Sequence, residues 1–340
     1  MFAVYGAGSV ALGFVLAELA LHPGRRVMSA DAEQRARARV AAVGGRLDQV
    51  EITTHDRMVL RGWQFSPPAA AWNGNSVLAL HGVGDNRESQ VPMAVRLVAR
   101  GYMVVTPDAR ASGLSDGVDA SYGVIERDDI HEWVTWLRTR QAYGCIHGLG
   151  GSMGAAQLLQ ALEVDPPLFC DVVAESPFES FREVAYDRVG QRVGTGPWLG
   201  RTVLRPAIEV GFLSAWLRTG VDLTDANPLR VLQRRDTRTP VLLIHGLADR
   251  NIPPRHSRDL AAANPDHVVA WFIPGGGHVS AWSAAPVEYP ARVLAFFASH
   301  ELGSRDAAVA VGGDVERGGA GERAVGEDRA PREPAGPHRR

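Results

Sequence analysis

Apolar residues in this chain fall into two alternating kinds of run. The first kind is short and unbroken: Ser76-Val77-Leu78-Ala79-Leu80, Met103-Val104-Val105-Thr106, Cys145-Ile146-His147, Asp171-Val172-Val173-Ala174, Val241-Leu242-Leu243-Ile244 and Val268–Ile273. Such runs are the mark of strands buried on both faces. The second kind has helical spacing and lies between them, over Val91–Arg100, Asp128–Arg140, Ala155–Leu162 and Val287–His300. Strand alternating with helix predicts a mostly parallel α/β sheet covered on both sides. Two stretches of strict alternation, Gln49–Thr54 and Met58–Phe65, precede it and end at Pro67-Pro68. They predict an antiparallel pair, which brings the expected sheet to about eight strands.

Three segments depart from this rhythm. Between Pro177 and Thr239 the pattern is helical only, with apolar Trp198, Leu199, Phe212, Leu213 and Trp216. That is too long for a loop and too apolar for a linker, so a helical cap is expected over about 178–238. Phe2–Leu21 is a run of transmembrane length broken only by Glu18. Arg25, Arg26, Arg35, Arg37 and Arg39 follow it. A single-pass amino-terminal anchor over 1–25 is therefore expected, with the following domain on the cytoplasmic side. Gly6–Ala11 also satisfies a loose dinucleotide-binding pattern, but the chain never completes a nucleotide-binding half around it. Residues 26–45 read as an arginine-rich amphipathic connector and 46–303 as the catalytic domain. The stretch 304–340 is rich in glycine, arginine and glutamate, lacks aromatic residues, and is expected to be disordered.

Composition narrows the chemistry. A hydrophobic content of 45% is ample for a core, and a net charge of −2 gives no reason to expect nucleic acid. All 36 basic residues are arginine, which excludes lysine-based covalent chemistry. The two cysteines, Cys145 and Cys170, are too few for a disulfide framework or a cysteine zinc site. Both stand near the amino ends of expected strands, where buried free thiols are the expectation. No metal ligands occur at convincing spacing, and the chemistry suggested below needs no cofactor.

The chemistry centres on Gly148-Leu149-Gly150-Gly151-Ser152-Met153-Gly154, set between the Cys145 strand and the Ala155 helix. Strand, glycine-flanked serine and helix are the context that G-x-S-x-G requires. A sharp turn there lifts the serine hydroxyl clear of the sheet, and Gly150 and Gly154 lack side chains that would collide with it. It also turns the Met153 N–H towards whatever Ser152 attacks. A serine hydroxyl needs a base. Of 11 histidines the best placed is His278, which follows the last strand in Gly275-Gly276-Gly277-His278. His81 and His245 each begin a His-Gly turn of another role, and His147 lies in the serine's own strand. The acid partner is expected to be Asp249, just past the Ile244 strand, with Glu175 as its competitor. The second oxyanion donor is expected from the Val83 N–H, with Gly84 the near alternative.

With those residues in view the chain resembles the α/β-hydrolase superfamily, and within it the bacterial membrane-anchored hydrolases related to serine aminopeptidases and acyl esterases. The matching strings are His81–Arg87, Asp108–Ser115, Gly150–Gly154, Glu175–Phe178, His245–Asp249 and Gly277-His278, spread over about 48–300. One departure is Arg110-Ala111-Ser112-Gly113, where that group usually reads Arg-Gly-His-Gly. The resemblance implies a Ser152–His278–Asp249 triad that cleaves an ester, thioester or amide through an acyl-enzyme. The apolar cap favours a small-molecule substrate with a hydrophobic acyl group. A prolyl-oligopeptidase-like peptidase is the alternative, and a non-catalytic binding protein on the same fold a further one.

Overall fold

The structure is a computed structural model and describes residues 2–140, 144–163, 168–192, 194 and 197–301; the tail expected to be disordered lies outside them. Along the chain come α1 (Phe2–Leu21), α2 (Ala32–Ala41), β1 (Arg46–Thr53), β2 (Val59–Ser66), β3 (Ser76–Leu80) and α3 (Val91–Val98). Next are β4 (Met103–Pro107), α4 (Glu126–Arg138), β5 (Ile146–Gly151), α5 (Met153–Ala161) and β6 (Asp171–Glu175). Four helices follow without a strand: α6 (Phe181–Arg192), α7 (Pro197–Arg201), α8 (Arg205–Thr219) and α9 (Pro228–Leu232). The chain then resumes its alternation with β7 (Val241–Gly246), α10 (Arg255–Ala263), β8 (Val268–Ile273), α11 (Ala281–Ala284) and α12 (Glu288–Ser299).

Among the described residues the strands form one eight-stranded sheet in the order β1-β2-β4-β3-β5-β6-β7-β8. β1 and β2 pair antiparallel, with Arg46 opposite Ser66 and Thr53 opposite Val59, and β2 runs antiparallel to β4. Every later pairing is parallel. Two cores lie on the two faces, and the period of two along each strand sorts residues between them. Leu78, Val172 and Leu243 pack on one face with Trp133 and Leu158. Their neighbours Val77, Val173 and Leu242 pack on the other with Val293 and Phe297. The central strands are buried at every position, which is why they read as unbroken apolar runs.

The amino-terminal anchor is not what the structure contains. No helix among the described residues is long and apolar enough to cross a membrane. α1, FAVYGAGSVALGFVLAELAL, intersperses small residues among its large apolar ones and packs on α8. Gly13 marks the point of closest approach. A Cβ on Gly13 would come within 2.5 Å of the Val210 side chain, and one on Gly211 within 3.2 Å of the Gly13 carbonyl, so α1 lies directly on α8. Glu18 pairs with Arg218 at 2.7 Å, and Tyr5 donates to the Val203 carbonyl at 2.5 Å. Ala17 and Leu21 join Phe181, Ile208 and Phe212 in a third apolar cluster. The Gly6–Ala11 string lies inside this helix, not at a strand-to-helix turn. α1 is thus a wall of the cap region. Removing residues 2–24 should uncover Ile208 and Phe212, side chains worth about 1.5–3 kcal/mol each when fully buried. A clear fall in melting temperature and a tendency to aggregate are expected, measurable by thermal unfolding and light scattering.

The cysteines are a second correction. Cys145 and Cys170 are joined in a disulfide with their Cα atoms 5.6 Å apart. Parallel pairing of β5 with β6 sets His147 opposite Asp171, which brings the residues just ahead of the two strands side by side. Nothing in a separation of 25 residues announces that proximity.

Candidate active site

Ser152 sits at the turn from β5 into α5 with φ 55° and ψ −117°, a conformation side chains rarely adopt. Its N–H donates to the Glu175 carbonyl at 2.8 Å, which ties the turn to β6. The flanking glycines are forced. A Cβ on Gly150 would come within 2.7 Å of the Ala155 nitrogen, and one on Gly154 within 2.6 Å of the His81 carbonyl.

The turns after β7 and β8 bring the remaining groups to this serine. They touch backbone to backbone: a Cβ on Gly246 would stand 2.2 Å from the Gly276 carbonyl oxygen. The Ala248 N–H donates to that same oxygen at 2.8 Å. Beyond the contact, His278 Nε2 lies 2.9 Å from Ser152 Oγ and Nδ1 lies 2.8 Å from Asp249 Oδ2. The second Asp249 oxygen accepts the N–H groups of Asn251 at 2.8 Å and Ile252 at 2.9 Å. Burial alone would push this carboxyl up. Hydrogen bonds from His245, His278 and the backbone outweigh it and hold Asp249 well below the ordinary carboxylate range. A carboxylate at Nδ1 fixes the tautomer that leaves Nε2 as acceptor for the serine proton. Gly246→Ala should prise these two turns apart. A displacement near 1 Å at the reacting groups costs about 10²-fold in rate. Turnover should therefore fall by that order while circular dichroism shows a folded protein.

Glu175, the competing acid, is occupied elsewhere. It accepts the Ala281 N–H at 2.9 Å, and burial pushes its carboxyl up. The other strand-end histidines hold loops. His245 Nε2 donates to the Ile252 carbonyl at 2.9 Å, and its Nδ1 accepts from the Ser257 hydroxyl at 2.7 Å. This braces the turn carrying Asp249. His81 Nδ1 donates to the Gly82 carbonyl at 2.8 Å while Nε2 accepts the Ala109 N–H at 3.1 Å. Burial pushes the pKa of this ring down, which favours the neutral form those bonds require. His147 is fully buried against Asp171 at 3.0 Å and stacks on Phe297. In the departing string, Ala111 takes φ 57°, a conformation suited to glycine, while Asp108 binds Arg87 at 2.6 Å and the Leu114 N–H at 2.7 Å.

The loop after β3 runs beside the serine, since a Cβ on Gly82 would lie 3.4 Å from the Ser152 Cβ. Among the described residues no backbone partner occupies the N–H of Val83 or of Met153. Val83 and Gly84 also border a cavity of about 380 Å³ whose other walls come from α1, α6 and α8. That size falls within the range of small-molecule sites. Its lining is mainly apolar, with Leu16, Tyr122, Val184, Ile208 and Phe212. The contribution of α1 to this wall, and that of Arg188 on α6, are invisible in the sequence pattern; both arise from how the cap folds back. Among the described residues no cluster of side chains suited to a metal ion occurs.

A strained serine at a strand-to-helix turn, followed by a parallel sheet that returns an aspartate and a histidine to it, defines the class. The model of the Alpha/beta hydrolase family matches residues 77–296, and the chain belongs to that family. The Bacillus subtilis protein YqkD is 25% identical over 226 residues, covering 66% of this chain and 70% of YqkD. The Pyrococcus furiosus esterase Pf2001 superposes with a TM-score of 0.60 at 24% identity, over 81% of this chain and 95% of the esterase. A puromycin-hydrolyzing peptidase of Mycobacterium tuberculosis superposes with a TM-score of 0.58 at 18% identity, over 76% of this chain and 40% of the peptidase.

Proposed function

We propose that the chain is a serine hydrolase that cleaves a carboxylic ester, thioester or amide through an acyl-enzyme. The observation that carries this reading is the unbroken hydrogen-bonded series from Ser152 through His278 to Asp249. His278 takes the serine proton as Ser152 Oγ bonds to the substrate carbonyl carbon. The carbonyl oxygen becomes an oxyanion, stabilised by the N–H groups of Met153 and Val83. His278 then delivers the proton to the leaving group as its bond to carbon breaks. A water molecule, deprotonated by His278, attacks the acyl carbon in turn; its proton returns to Ser152 Oγ as the acid is released. Asp249 stabilises the imidazolium in both halves. The cavity beside Val83 receives the acyl part, and its lining favours a hydrophobic one.

Fluorophosphonate labelling tests this directly, together with a p-nitrophenyl ester series of rising chain length and a set of aminoacyl anilides. Labelling with turnover of the esters supports the reading as an esterase. Turnover of anilides over esters moves the assignment to the peptidase branch. A folded protein that is neither labelled nor active on either set overturns it in favour of a binding protein.

A further inference from the structure

One arginine on the cap combines partial burial with the lack of a carboxylate partner. Arg182, Arg201 and Arg218 on the cap helices each face a carboxylate within 3.4 Å. Arg188, on the same helix as Arg182, borders the cavity among Tyr122, Val184, Ala185 and Phe212. It is half-buried, and among the described residues it has neither an ion pair nor a hydrogen bond. A guanidinium drawn into an apolar wall without a partner loses hydration it does not recover. Burial, and then the neighbouring charge of Arg192, weaken its hold on its proton, while Tyr122 and Asp249 act the other way. Arginine nevertheless stays charged in such settings. The nearby carboxylates are committed: Asp249 to His278 and the backbone, and Glu126 to the N–H groups of Ser121 and Gly123.

We propose that Arg188 receives a carboxylate carried on the acyl part of the substrate, so that the hydrolase prefers acyl groups with an acidic distal end to neutral ones of equal length. The inference rests on the serine-hydrolase reading given above. It follows from the unpaired cation, its place in the wall of the cavity that begins at Val83, and the fit of a planar guanidinium to a carboxylate. Arg192 borders the same cavity but is exposed, so Arg188 is the half-buried arginine of the lining, and one such charge suits a carboxylate better than a doubly charged phosphate. The apolar walls then hold the methylene chain between the two ends.

The test compares p-nitrophenyl monoesters of adipic and suberic acids with p-nitrophenyl hexanoate and octanoate. The wild type should favour the acidic esters by at least about tenfold in kcat/KM, the order one charge-assisted hydrogen bond supplies. Arg188→Met keeps the stem and loses the charge; it should erase that preference, raising the KM of the acidic esters more than that of the neutral ones. Arg188→Lys should retain part of it. Suberate alone should raise the melting temperature of the wild type and not of Arg188→Met, with octyl phosphate and octanoate as comparators. Ser152-dependent turnover with no acidic preference, or an equal loss on both ester classes in Arg188→Met, overturns the role of Arg188 and leaves the hydrolase reading standing. Stronger protection by octyl phosphate than by suberate overturns the choice of carboxylate. A protein inert to every ester but protected by suberate through Arg188 overturns the hydrolase reading alone and leaves an anion-binding cavity. If Arg188→Met fails to fold, the Arg188→Lys series and the suberate shift of the wild type decide.

Discussion

Replacing Ser152 by alanine is expected to lower turnover of an activated ester by about 10⁶-fold and to abolish fluorophosphonate labelling. The size follows from the role proposed for the serine and for the two N–H groups beside it. Without Oγ no covalent acyl-enzyme forms, and what remains is positioning by the cavity and charge stabilisation by the two N–H groups. Those together leave a residual acceleration of about 10³–10⁴ over water. The substitution should leave the fold intact, because the turn's strain is borne by its backbone and the Ser152 N–H to Glu175 bond survives the change. Undiminished labelling of the alanine variant would place the nucleophile elsewhere and undo the site as drawn.

Much of this architecture was legible because buried parallel strands write themselves as unbroken apolar runs. Val77–Leu80, Val172–Ala174 and Val241–Ile244 announced three strands of the sheet, and the alternating stretches announced β1 and β2. Gly150 was legible because its clash would be with its own turn, at Ala155, whereas Gly154 was legible only through the motif, since what it makes room for is the end of β3 at Leu80 and His81. His278 was singled out by its place after the last strand, and Asp249 by its place after the Ile244 strand together with the family string around it; a parallel sheet gathers all its carboxyl ends on one edge, and the structure sets the two side by side.

What the sequence did not disclose depended on long-range packing. Phe2–Leu21 has the length of a span, yet Gly13 and Ala17 fit against Val210 and Gly211 of α8. Apolar length does not distinguish a helix bound for lipid from one bound for a neighbouring helix. The Cys145–Cys170 pair illustrates the same limit, because strand order had to be known before the two thiols could be neighbours. Arg188 looked like any arginine on an amphipathic helix. Only the folded cap shows that it borders a cavity and lacks the carboxylate that Arg182 and Arg201 face.

The choice between the two acids carries the second large effect. Loss of His278 to alanine should cost about as much as loss of Ser152, because nucleophile and base act as one unit. Asp249→Asn is expected to cost up to about 10⁴-fold. An asparagine at this position can present its NH₂ to Nδ1, which favours the tautomer with the proton on Nε2. That tautomer cannot accept the serine proton. Glu175→Gln should behave differently. Burial already disfavours the charge of this carboxyl, and among the described residues it bonds to the Ala281 N–H and the neighbouring Tyr289 hydroxyl, not to His278. A neutral amide oxygen accepts from Ala281 equally well, so turnover is expected within about tenfold of wild type, as for a hydrogen bond exchanged between similar acceptors. Pre-steady-state measurement of the acylation burst separates the two variants. Asp249→Asn should slow the burst itself, whereas Glu175→Gln should leave it nearly unchanged. A crippled Glu175→Gln beside an active Asp249→Asn would transfer the acid's role to the end of β6.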